Sequence, residues 1–96
     1  MTKKDDEIYK YSSPEQAKKM LKKYYGNIEL YTSSRKDKKY MVLDPNGRWV
    51  HFGQMGYEDY TKHKDKIRRK NFQARNFQWQ FEPPYTPSHL SWYILW

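Results

Sequence analysis

The sequence predicts a single α+β domain, and three local observations carry that reading. They are a proline-led helix start at Ser13-Pro14-Glu15-Gln16, a turn at Asp44-Pro45-Asn46-Gly47 between two β-type runs, and Asp65 placed ahead of a basic stretch with helical spacing. At 96 residues the chain is the size of one compact domain and too short to bury two independent cores.

Residues 1–12 are polar and read as a flexible arm, so the domain is expected over residues 13–96. Ser13 is the N-cap of a helix over Pro14–Tyr25, because proline suits the first helical position and Glu15 the first turn. Ala17, Met20, Leu21 and Tyr24 fall on one stripe of it and Lys18, Lys19, Lys22 and Lys23 on the other side, with Gly26 as the stop. Three β-type runs follow, Ile28–Thr32, Lys39–Leu43 and Arg48–Phe52, which form a small three-stranded antiparallel sheet. Aspartate, proline and glycine at the first, second and fourth positions favour a type I turn, so the hairpin is placed at Asp44–Gly47. Ser33 to Lys38 is a basic loop, and Gly53 and Gly56 break the third strand. A basic helix runs from Lys66 to about Asn76, with Phe72 in reach of Arg68 and Arg75 for cation–π contact. Thr86-Pro87 then starts a short aromatic helix over Ser88–Leu95, and the apolar ending implies docking.

Only 36% of residues are apolar while 19% are Phe, Trp or Tyr, so the core is expected to be built largely from rings. There is no cysteine, which excludes disulfides, thiolate metal sites and cysteine nucleophiles. No apolar run approaches the ~20 residues that span a bilayer, and the start lacks the hydrophobic stretch of a secretory signal, so an intracellular protein is expected.

Nineteen Lys and Arg against 11 Asp and Glu give a net charge of +8, a field that attracts polyanions before any specific contact forms. Past Asp65 only Glu82 opposes Lys66, Arg68, Arg69, Lys70 and Arg75. Lysines and arginines need only charge and reach to hold phosphates. The residues expected to do so are Lys36, Lys38, Lys39, Arg48, Lys64, Lys66, Arg69 and Lys70. Arg68 and Arg75 are assigned instead to Phe72 or to the fold. Rings interleaved with this charge could stack on bases, but most are expected in the core. Trp79 and Phe81, in a polar, proline-flanked stretch, and the terminal Trp92 and Trp96 are left as surfaces for a protein partner.

Gly53-Gln54-Met55-Gly56 has the spacing of a backbone-clamping GxxG loop but follows a strand, so its glycines read as turn residues. His63, among Glu58, Asp59 and Asp65, could serve a nuclease-like reaction only if a carboxylate and a substrate phosphate met it in one cleft. Nothing in the sequence brings them together, and Asp59 and Asp65 read more simply as caps. No catalytic residue, metal site or cofactor motif is assigned.

The residues Lys39-Tyr40-x-Val42, Gly47-Arg48-x-x-His51-Phe52-Gly53, Gly56-Tyr57-Glu58-Asp59-Tyr60-Thr61-x-His63-Lys64-Asp65, and then Arg69, Phe72 and Arg75 carry a resemblance. The chain resembles, over about residues 36–96, small basic proteins of unassigned function encoded by large and giant double-stranded DNA viruses of eukaryotes, and Ser91 to Trp96 looks like a variant of their aromatic segment. The resemblance implies a viral protein in a virion or, during infection, in the host cytoplasm, nucleus or virus factory. It implies no catalytic residue. Two non-enzymatic roles fit it: sequence-independent binding of DNA, which the charge favours, and a minor capsid or cement protein contacting capsid proteins.

Overall fold

The computed structural model describes residues 3–96. It opens on a short helix, Lys3–Glu7 (α1), running into a 3₁₀ turn at Ile8–Lys10. Here the expectation of a flexible arm over residues 1–12 is corrected from Lys3 onward; Met1 and Thr2 lie outside the described residues. Asp5 and Asp6 sit in the first turn of α1, where negative charge complements the unpaired N–H groups. Ile8 is only 1% exposed and belongs to the core, and Ser12 Oγ accepts a hydrogen bond from Tyr40 Oη at 2.6 Å. A lone isoleucine in a polar run shows no periodicity, yet burying it is worth about 1.5–3 kcal/mol.

Helix α2 covers Pro14–Tyr25, with Ser13 as N-cap and Gly26 at φ 79 closing it. Ala17 and Leu21 are buried as expected. Tyr24 is not: it is 45% exposed and tilts against Tyr93 at 5.0 Å, while Tyr25 packs against the core.

The sheet is antiparallel in the order β1 (Tyr31–Thr32), β2 (Lys38–Leu43), β3 (Trp49–Gln54). The expected first strand shrinks to its last two residues, and β3 runs on through Gly53 to Gln54. Asp44 closes the hairpin, its Oδ1 accepting from the N–H groups of Asn46 and Arg48 at 2.9 and 2.8 Å, with Gly47 at φ 81. Tyr40 pairs with Phe52 and Val42 with Val50 on the inner face, whereas Tyr31, Leu43 and Trp49 remain exposed on the outer one.

Asp59 and Asp65 cap the helices that follow. Asp59 accepts from Thr61 N–H ahead of α3 (Tyr60–His63), and Asp65 from Ile67 and Arg68 N–H ahead of α4 (Lys66–Arg75). A 3₁₀ segment, Phe77–Phe81, leads to α5 (Pro87–Leu90), capped by Thr86, and to a π-helical turn over Ser91–Leu95. The tail closes the domain through Leu90, Ile94 and Leu95, each at most 2% exposed.

The expectation of a core made of rings is also corrected. Among the described residues the buried cluster is Ile8, Ala17, Leu21, Leu30, Val42, Leu90, Ile94 and Leu95 with only Tyr40 and Phe52 as rings. Most other aromatics line the rim half-buried, where Tyr25 and Tyr93 keep their hydroxyls hydrogen-bonded within the protein. Among the described residues no helix is long and apolar enough to cross a membrane.

Candidate functional site

An open groove of about 660 Å³ lies where the end of the β2–β3 ladder meets α4 and the tail. Lys38 and Gln54 come from the strand ends, Tyr57 and Glu58 from the loop beyond β3, and Arg68, Phe72 and Arg75 from α4. Trp79 comes from the 3₁₀ segment and Ser88, Ser91 and Trp96 from the tail, with buried Phe52 and Leu95 at the bottom. Arg68, Phe72 and Arg75 share a helix face because they stand at i, i+4 and i+7.

Three of the groove's rings, Phe72, Trp79 and Trp96, are in contact. Phe72 stacks on Trp96 with centroids 4.2 Å apart and planes 5° from parallel, and meets Trp79 edge-on at 5.6 Å. The cation–π contact of Phe72 with Arg68 and Arg75 does not occur; Phe72's ring partners are the two tryptophans. Among the described residues Lys38 and Arg75 have no ion-pair partner, and Arg68 Nη1 reaches Glu58 Oε1 at 3.3 Å in a half-exposed pair. Such a pair contributes at most about 1 kcal/mol and exchanges readily for another anion.

In the wall of the groove, Lys39 is 2% exposed, and its Nζ donates to Asp59 Oδ2 at 3.0 Å and to the carbonyl of Tyr57 at 2.6 Å. Burial pushes its pKa down, and the Asp59 carboxylate opposes that. Lys39 is therefore not an available phosphate partner, contrary to the sequence expectation; it pins the Tyr57 backbone. Gly53 makes this close packing feasible. At φ 82, a Cβ on it would stand 2.9 Å from Leu95 Cδ1 and 3.1 Å from Lys39 Cβ.

Of the other residues expected to contact phosphate, Lys38 lies in the groove. Arg69 does not: its Nε donates to the Trp96 carbonyl at 2.7 Å and its guanidinium lies over the Tyr60 ring at 4.7 Å, so it fastens the tail to α3 and α4. Lys66 and Lys70 are exposed on α4 away from the groove, Lys64 caps α3, Arg48 stands at the hairpin end, and Lys36 borders a separate depression with Lys4 and Asp37. Of the expected protein-contact residues, Trp79 and Trp96 line the groove, Phe81 is 69% exposed against Phe77, and Trp92 is half-buried. Arg68 and Arg75, assigned from the sequence to Phe72 or to the fold, line the groove instead; their spacing about Phe72 marks the shared face.

His63 lies outside the groove lining. Its Nδ1 accepts from Asp65 N–H at 2.8 Å, which leaves the proton on Nε2, a buried atom with no hydrogen-bond partner 5.2 Å, centroid to centroid, from the Trp96 ring. Burial lowers its pKa, so the neutral ring is favoured. Among the described residues no three His, Asp or Glu side chains are grouped to hold a metal ion.

A model of the family of unknown function DUF5754 matches residues 28–76, which takes in the sheet, the Tyr57 loop and α4 but not α2 or the tail. No curated protein and no solved structure matches the chain.

Proposed function

We propose that this chain, which belongs to the family of unknown function DUF5754, is a non-enzymatic nucleic-acid-binding protein that does not read sequence. The observation that carries the reading is the groove, in which Lys38, Arg68 and Arg75 stand among Tyr57, Phe72, Trp79 and Trp96 with Glu58 the one carboxylate of its lining among the described residues. Cations able to change partners hold phosphates, and rings hold whatever flat group the phosphates bring with them. Lys66, Lys70, Lys64, Lys36 and Arg48 add exposed charge outside it and act as long-range attraction. The resemblance to proteins of giant double-stranded DNA viruses makes DNA the ligand and the virion, or the infected cell, the location in this reading.

The test is affinity for single-stranded DNA, duplex DNA and heparin across a salt series. Binding is expected at low salt and to fall linearly on logarithmic axes. A Lys38→Ala, Arg75→Ala double variant is expected to reduce the slope by about 1.4–1.8 if each residue meets one phosphate. A protein that binds none of the three at low salt overturns the reading.

One observation favours a second role, as a minor capsid or cement protein. Tyr31, Leu43 and Trp49 form an exposed apolar cluster on the outer face of the sheet, with Tyr31 and Trp49 edge-on at 5.5 Å. Co-sedimentation with capsid protein, lost in Trp49→Ala and kept in Arg75→Ala, would favour that role.

A further inference from the structure

We infer that the groove takes an unpaired nucleotide rather than duplex, with the base laid on Tyr57 and its phosphates on Arg75 and Lys38; this rests on the nucleic-acid reading above. Tyr57 is 70% exposed, lines the groove and has no ring partner among the described residues, so a face of its ring is free. Tyr57 lies on a loop, where backbone is commonly mobile, but its carbonyl is held at 2.6 Å by Lys39 Nζ, itself anchored on buried Asp59. The ring is thus presented from a fixed backbone, which lowers the ordering cost of binding. Trp79, half-buried and braced edge-on by Phe72, supplies a second apolar surface in the same groove.

The charge count in the groove points the same way. Duplex binding depends on many phosphate contacts along a tracking surface, and the face of a base stacked inside a helix is closed to a protein ring. Here few cations flank a run of rings. Gln54, Ser88 and Ser91 place amide and hydroxyl groups on the lining, where they can meet the edge of a base in either donor or acceptor sense. That mixture suits stacking with tolerant hydrogen bonding.

The experiment measures binding of a short labelled single strand, the same strand paired as duplex, and a strand of equal length carrying abasic sites, each across a salt series. Wild type is expected to prefer the intact single strand over both others. Tyr57→Ala, at a position too exposed to support the core, is expected to weaken single-strand binding about ten-fold and leave the salt slope unchanged, because no charge is removed. Tyr57→Phe should restore it, and Trp49→Ala, an exposed ring outside the groove, should have no effect. Equal affinity for intact and abasic strands, or an unchanged affinity in Tyr57→Ala, overturns this inference while leaving nucleic-acid binding intact. Failure of all three ligands to bind at low salt overturns both.

Discussion

Helices α2 and α4 are both short and strongly basic, and they are held in opposite ways. In α2 the lysines face water because Ala17 and Leu21 take up the other side, so the charge is a by-product of an amphipathic helix. In α4 no residue is buried and Ile67 is 73% exposed. What fixes α4 is its Asp65 cap, the Phe72 stack on Trp96 and the Arg69 bond to the Trp96 carbonyl. A helix without a core stripe keeps one face for a groove and depends on its neighbours to stay in place.

The largest expected effect tests that dependence. Deleting Trp92 to Trp96 removes Ile94 and Leu95 from the core and the partner of Phe72, together several kcal/mol out of about 5–15 for a domain. The truncated chain should lose its cooperative thermal transition by circular dichroism; a folded, monomeric truncation would show that the tail is a docking segment instead. Next, Asp59→Ala should destabilise by about 3–5 kcal/mol in urea unfolding, because it strands the Lys39 ammonium in the interior. A loss below about 1 kcal/mol would mean that Lys39 escapes to water. The comparison of the helices is sharpest in a pair of variants: Leu21→Ala is expected to cost about 2–5 kcal/mol and Ile67→Ala no more than about 0.5. Equal losses would mean that α4 has a buried face after all.

The smallest effect is a pH dependence. Burial lowers the pKa values of His63 and His89, and His89 Nδ1 is hydrogen-bonded with Tyr25 Oη. Between the lowered folded value and the unfolded value of about 6.5 the unfolded chain binds more protons, so stability rises with pH in that window. Acidification from pH 7 should lower the melting temperature until the folded values are passed, and His89→Gln should flatten the curve. A melting temperature that climbs on acidification contradicts the assignment.

What the sequence made legible is local. Helix α2 starts and stops at Ser13, Pro14 and Gly26, the hairpin turns on Asp44 and Gly47, and Asp65 caps α4, each through contacts within a few residues. What stayed hidden depends on distant partners. Lys39 alternates with Tyr40 onto the same side as exposed Leu43 and looked solvated, until the segment 57–59, some twenty residues on, closed over it. The groove was hidden for the same reason, since its walls come from the sheet end, α4 and the tail. Arg69 and Arg68 are neighbours in sequence with different fates, one spent on Trp96 and Tyr60 and one facing the groove, a difference set by which residue the tail reaches.

Leu95 and Trp96 complete the groove that begins at Lys38. The groove therefore exists only where the sheet end, α4 and the tail are folded together, whereas the charge of the sheet and α4 needs no such assembly. In the proposed reading, undocking the tail leaves a chain that still attracts polyanions through its charge but lacks the surface on which an unpaired base is laid.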